Sequence, residues 1–370
     1  MATLVFTTLG TALGGPIGGA IGALAGQAID AQIFKPKGRS GPRLSDLSVQ
    51  TSRYGAQLPR IFGRMRVAGT VIWATDLKES SSTSGGKGQP SVTTYSYPAS
   101  FAVALSSRRI GRIGRIWADG NLLRGAAGDM KVPLGALRVH DGSAGQTVDP
   151  LIAAAVGVGQ APAFRGVAYV VLEDLQLADF GNRIPSLTVE VIADEGPVPV
   201  SLIASSLHGR SVAFAGGVEP AVLGYAADGS DVGDALAPLL DAYGLRWRAD
   251  RNGMVLTGGV ATGRMLARGE EIRAVDGKLE APGERQRTPL DEVAVRMALR
   301  HFDPDRDYQP GVQSSERPGL GRRSEEIGLP AVIAADAARA LADRALRTRL
   351  AQRRRWARAC GWSALDLKAG

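Results

Sequence analysis

Residues 161–191 read Ala161-Pro-Ala-Phe-Arg-Gly-Val-Ala-Tyr-Val-Val-Leu-Glu-Asp-Leu-Gln-Leu-Ala-Asp-Phe-Gly-Asn-Arg-Ile-Pro-Ser-Leu-Thr-Val-Glu-Val191. Val167–Leu172 is apolar and rich in β-branched side chains, which predicts a buried strand. Ser186–Ile192 alternates Leu187, Val189 and Val191 with Thr188 and Glu190, the pattern of a strand with one buried face. Between them Phe180, Gly181, Asn182, Arg183, Ile184 and Pro185 form a corner. Gly181-Asn182 favours a turn, and the residue before Pro185 is steered away from the helical region. The run therefore reads as two strands joined by an ordered corner, with a structural role and no catalytic loop.

Moving outward, Val49-Gln-Thr-Ser-Arg-Tyr-Gly-Ala-Gln-Leu-Pro-Arg-Ile-Phe-Gly-Arg-Met-Arg-Val-Ala-Gly-Thr-Val-Ile-Trp-Ala74 and Phe302-Asp-Pro-Asp-Arg-Asp-Tyr-Gln-Pro-Gly-Val-Gln-Ser314 are two further distinctive phrases. Together with Ala178-Asp-Phe-Gly-Asn-Arg-Ile-Pro185 they resemble, in order, segments of the tail-tip (baseplate hub) proteins of long-tailed phages and gene transfer agents. The first phrase is also similar to the tail-tip host-attachment proteins of siphophages. The resemblance spans about Leu44–Ala359. It implies a β-barrel-like hub subunit in a homo-oligomeric, trimeric ring that closes the tail tube. Its implied partners are distal-tail and other tail-tip proteins, a receptor-binding protein or fibre, and DNA that passes without sequence specificity. Assembly in the bacterial cytoplasm is implied as well. An infectious phage, a prophage remnant and a transfer agent all remain open.

The bulk composition agrees with a globular, multidomain chain. At 370 residues, two or three domains are expected. Hydrophobic residues at 44% and charged residues at 22% exclude global disorder. Aromatics at 5% with 48 glycines suit many short strands and turns rather than a large aromatic pocket. The single cysteine, Cys360, excludes an intrachain disulfide and fits a reducing compartment.

The N-terminal 29 residues carry no charged side chain, and Gly10, Gly14, Gly18, Gly22 and Gly26 recur at every fourth position. On a helix this is a small-residue stripe that lets another helix approach closely. Alone in water such a helix is poor, because each glycine costs about 1 kcal/mol against alanine and Pro16 interrupts it. The segment predicts a self-associating plug or tube in an assembly, or a stretch later inserted into the host membrane. No Lys or Arg precedes it, so a secretory signal is not expected.

The predicted organisation is α+β: a glycine-zipper segment at 1–34, a linker at 35–43, a β-rich hub domain at 44–195, a small α+β domain at 196–275, and a tail-protein module at 276–370. Strands are expected at Arg60–Ala74, Pro98–Leu105 and Ile110–Leu122, the last folded at Asp119-Gly120-Asn121. The Ser/Thr/Gly-rich excursion Lys78–Pro98 predicts a flexible hairpin tip. A short helix is expected at Val148–Gly157 and an amphipathic one at Asp231–Tyr243, with Leu236, Leu239 and Leu240 inward. Gly244–Ala249 and Met254–Gly258 form a hairpin around Asn252-Gly253. Thr288–Arg300 reads as a strand, His301–Gly328 as a Pro/Gly-rich loop, and Ala331–Ala359 as a long helix with Ile333, Ala337, Leu341 and Ala345 on one face. In the resembled family a further β-domain follows, so the chain is expected to be a natural short form or incomplete at its C-terminus.

The catalytic inventory is thin. His140, His208 and His301 lack zinc spacing, and Cys360 reads as structural. Glu173, Asp174 and Asp179 sit where carboxylates cap backbone N–H groups. No phosphate loop or dinucleotide fingerprint is present, and neither metal nor cofactor is expected. Some relatives carry a glycoside-hydrolase-like barrel insert, but Ile192–Ser201 leaves no room for one, which disfavours a peptidoglycan hydrolase. Net charge is +8, and Arg339–Arg358 holds eight arginines against Asp343 alone. Arg347, Arg349, Arg353, Arg354, Arg355 and Arg358 are a candidate surface for DNA or anionic lipid. The plainer reading is a solvated or intersubunit helix face.

Overall fold

The computed structural model describes residues 39–40, 57–75, 80–84, 92–250, 253–258, 274–275, 278–279, 283–319, 321–357, 360 and 362. The glycine stripe Gly10–Gly26 and Arg358 lie outside them. The fold is α+β and β-rich. The chain divides into two compact units, one of Met1–Ser48, Asp76–Ala99 and Gln176–Ile184, the other of Val49–Thr75, Ser100–Leu175 and Pro185–Gly370.

The larger unit is built on an eight-stranded sheet. In chain order its elements begin with β1 (Arg60–Ala68), β2 (Thr70–Ala74), β3 (Pro98–Ser106), β4 (Arg112–Ala118), β5 (Asn121–Arg124) and β6 (Ala136–His140). Helix α1 (Pro150–Val156), β7 (Ala168–Gln176), β8 (Leu187–Ile192), α2 (Val200–His208), β9 (Gly224–Ala227) and α3 (Val232–Tyr243) follow. The last are β10 (Arg296–Asp303), β11 (Gln309–Glu316), β12 (Ser324–Val332) and α4 (Ala335–Gln352). The large sheet runs β11-β10-β12-β9-β1-β8-β4-β5 and a second runs β2-β3-β7-β6. Only the β10–β12 pair within the large sheet is parallel. That sheet draws on all three segments expected at 44–195, 196–275 and 276–370.

Among the described residues, apolar side chains gather against both sheets. Leu236 and Leu239 of α3, Ile203 of α2, and Leu341, Ala342 and Leu346 of α4 pack with Phe62, Tyr225, Met297 and Leu299 of the large sheet. Each such Leu, Ile or Phe contributes about 1.5–3 kcal/mol on burial. Ile152 of α1 packs with Ala102, Tyr169 and Val171 of the second sheet. Local signals act where the sequence displays them. Asp149 caps α1 by accepting from Leu151 N at 2.9 Å, and Asp231 caps α3 by accepting from Asp234 N at 2.9 Å. Asp119 and Gly120 both have positive φ, as a two-residue hairpin turn requires.

Several elements differ from those expected. Arg60–Ala74 is two strands in two sheets, broken at Gly69. Arg39–Ser40, inside the expected linker, pairs in parallel with Val92–Thr93. Ser80–Ser84 and Val92–Ser96 form the expected hairpin, while residues 85–91 lie outside the described residues. Thr288–Arg300 is not one strand: Glu284–Arg287 and β10 are separated by a turn that follows Pro289. His301–Gly328 is largely sheet. Pro310 and Gly311 misled the reading because β11 is an edge strand, where a missing N–H is tolerated.

The C-terminal helix is also shorter than expected. It ends at Gln352, and Arg354–Ala357 instead pairs antiparallel with Glu284–Arg287. Its inward face is Ala338, Leu341, Ala342 and Leu346, while Ala337 is exposed. Of the four positions expected on one face, Ile333, just before the helix, Leu341 and Ala345 do pack on the core, and only Ala337 falls outside it.

Candidate functional site

The corner at 180–185 forms as an ordered turn. Ala178–Phe180 is a short 3-10 turn, and Gly181 (φ 66°) and Asn182 (φ 56°) are both left-handed. Asn182 N donates to Leu177 O at 2.8 Å and Phe180 N to the same oxygen at 3.0 Å. The flanking strands do not pair with each other, as a simple hairpin would require. The Ala168–Gln176 strand belongs to the second sheet and Leu187–Ile192 to the large one. The corner carries the chain from one sheet to the other.

Beyond the corner, β8 holds a buried charge that the alternation rule placed outside. Glu190 is only 1% exposed. Its Oε1 accepts from Arg64 Nε at 2.8 Å on β1, and its Oε2 accepts from Arg115 N and Nε, each at 3.0 Å, on β4. Arg115 also reaches Asp307 in the turn between β10 and β11. The guanidinium groups of Arg66 and Arg115 lie over the Trp117 ring, 4.0 and 4.9 Å from its centroid. Burial pushes the Glu190 pKa up, but Arg115 and Arg64 outweigh it and hold it at about 2. Burial and then Glu190 raise the Tyr308 pKa.

A second ion pair ties the end of β8 to the start of β1. Arg108 Nη1 and Nη2 donate to Asp194 Oδ2 and Oδ1, each at 2.7 Å. Asp194 Oδ2 also accepts from Gly63 N at 2.9 Å. Gly63 has φ 64° and sits opposite Gly224 of β9. A Cβ on Gly63 would lie 2.2 Å from Leu223 O, so the two backbones approach closely only because no side chain intervenes.

His140 and Glu173, singled out in the sequence, meet in one network around Asp149 and Arg138. Asp149 is fully buried, and its Oδ2 accepts from Arg138 Nε at 2.7 Å and lies 3.0 Å from His140 Nε2. The His140 ring stacks on Tyr169 at 4.3 Å, and burial pushes the Tyr169 pKa up to about 12. Burial works against the Asp149 charge, but Arg138 and His140 outweigh it and keep its pKa low. Glu173 pairs with Arg138, and Asp174 N donates to Ser100 Oγ at 2.9 Å. His301 is buried near Gly311, and His208 ends α2. Among the described residues no three His, Cys, Asp or Glu side chains cluster as a metal site. No described helix is long and apolar enough to cross a membrane.

Glu190 and Asp149 are favoured in their ionised form by the neighbouring arginines. They brace backbone and arginine, so these clusters act as cross-links between strands. The structure distributes the candidate arginines rather than gathering them. Arg347 pairs with Asp343 at 2.6 Å and Arg349 Nε donates to Glu325 at 3.0 Å, whereas Arg354 and Arg355 stand on the terminal strand. The missed signal was Glu190 between Val189 and Val191, opposite strands that each carry arginines.

Comparison with known proteins gives the class. Residues 231–370 match the family model described as "Putative phage tail protein". No curated protein sequence matches the chain. Among solved structures, the chain is similar to one from a "Virion of native gene transfer agent (GTA) particle", at 28% identity and a TM-score of 0.66. That match covers 93% of this chain and 85% of the other. Residues 231–370 thus match a phage-tail-protein module, and the chain over 93% of its length is similar in fold to a gene-transfer-agent virion protein.

Proposed function

We propose that the chain is a hub subunit of a tail tip, assembling as a trimeric ring at the distal end of the tail tube. In this reading the ring closes the tube, anchors a receptor-binding protein or fibre beside distal-tail proteins, and takes part in attachment and DNA delivery. The virion is its place of action. The observation that carries the reading is the large sheet, in which the buried Glu190 of β8 ties β1 and β4 through Arg64 and Arg115, and β1 meets β9 at the close Gly63–Gly224 contact. A frame braced in this way suits a part that must transmit load rather than turn over a substrate.

In this reading the linker 35–43 leads into 44–195, which forms the ring wall, followed by 196–275 as a small α+β domain and 276–370 as the tail-protein module. Residues 1–34, with Gly10, Gly14, Gly18, Gly22 and Gly26, act as a channel plug or as a segment that meets the host membrane. The test is to interrupt the gene and image the particles. Tubes with unclosed distal ends are expected. Tails with ordinary tips and normal delivery would overturn the proposal.

A further inference from the structure

The Glu284–Arg287 and Arg354–Ala357 strands form a two-stranded ribbon whose eight residues are all exposed. Arg287 faces Arg354 directly across the ladder, and Arg285 faces Trp356. Residues two apart on a strand share a face. One face therefore presents Arg285, Arg287, Arg354 and Trp356 together. The Arg285 guanidinium lies over the Trp356 ring, 4.8 Å from its centroid, and Trp356 is 58% exposed.

Next in sequence, Arg353 has a buried Nε without a hydrogen-bond partner. Its backbone carbonyl accepts from Thr288 N at 2.9 Å, which fixes it beside the ribbon. Burial and the Arg287, Arg354 and Arg317 charges lower its pKa, in that order. Like charges placed opposite each other destabilise a strand pair. Elsewhere the fold pairs its arginines with acids, as at Arg64, Arg108 and Arg115. Among the described residues, Arg285, Arg287, Arg353, Arg354 and Arg355 take part in no ion pair. A two-stranded ribbon alone is also marginal in water. The arrangement is consistent with an anionic occupant.

We infer that this face binds the phosphodiester backbone of nucleic acid. Arginine forks match phosphate oxygens geometrically, and an exposed indole beside them offers a plane for bases or sugars. An acidic protein surface would satisfy the charge but makes no use of the Arg–Trp stack. The inference deepens the tail reading, on which it rests only for the source of the DNA.

The test uses the purified full chain and a fluorescent 20-base-pair duplex of mixed sequence. The triple variant Arg285→Gln, Arg287→Gln, Arg354→Gln is expected to bind at least about 10-fold more weakly at low salt. The slope of log affinity against log salt should become shallower by about 2 to 3, since each phosphate contact contributes about 0.9. Trp356→Ala should lose about threefold. Should the triple variant misfold, wild-type protein supplies a second readout: duplex should shield Trp356 from acrylamide quenching, read as the difference from Trp356→Phe. Unchanged affinity and slope in the folded triple variant, or no shielding, would overturn the inference. Equally tight binding of polyglutamate would replace it with an acidic protein partner. Loss of self-association in the variant, with no duplex binding by wild type, would assign the ribbon to a second copy. Because none of these readouts uses particles, failure here leaves the tail-tip test untouched.

Discussion

Arg115 Nε and N both donate to Glu190 Oε2 at 3.0 Å, across the β4–β8 pair of one sheet. The same arginine reaches Asp307 in the β10–β11 turn, so one side chain ties strands drawn from distant parts of the sequence. The pair gives the sheet a measurable acid sensitivity. The Glu190 pKa falls from 4.5 to about 2 on folding. Its contribution is therefore complete above pH 4.5 and lost as pH falls toward 2. The magnitude is on the order of 3 kcal/mol. Stability measured by denaturant between pH 5 and 2 should decline more steeply in wild type than in Glu190→Gln.

At neutral pH, Glu190→Gln should destabilise by about 2–3 kcal/mol, below the 3–5 kcal/mol of a fully buried pair because Arg64 is half in water. Arg115→Met should cost a similar amount, and the double variant less than the sum, since the two losses remove one interaction. Additive losses in urea titrations would contradict the coupling.

Gly63→Val should cost about 3 kcal/mol or more, because its φ is left-handed and its new Cβ meets the Leu223 carbonyl. Gly145→Ala is the control, since nothing lies within 4 Å of its added Cβ. It should stay within about 0.5 kcal/mol of wild type. Thermal unfolding of both variants checks the contrast.

Gly181→Val should cost about 1–3 kcal/mol through its left-handed backbone alone, for its added Cβ has no neighbour within 4 Å. Gly181→Asn should recover part of that loss, because asparagine tolerates this conformation. A Val variant with wild-type melting would show that the corner is free to rearrange.

The chain in solution should scatter light as a closed oligomer, at three times 38.6 kDa for a trimer. A strictly monomeric full-length chain at tens of micromolar would count against a ring.

Sequence made local features legible. The Gly181-Asn182 corner, the Asp119-Gly120 turn and the helix at Asp231–Tyr243 each depend on nearby residues, and each forms close to where it reads. What the sequence hid is non-local. Nothing near Gly224 announces that it meets Gly63, and edge position rather than composition lets Pro310 sit in a strand. Glu190 looked outward because alternation assumes one wet face, whereas two arginines from other strands make its burial tolerable. The candidate arginine surface shifted for a related reason. Helical spacing continued past Gln352, but a strand partner at Glu284–Arg287 drew the chain out of the helix.

The central claim is the position of this chain in the particle. Purified particles labelled with gold-conjugated antibody against the chain should carry gold at the distal end of the tail, with a few copies per particle. Label along the tube, or on the capsid, would contradict a tail-tip hub.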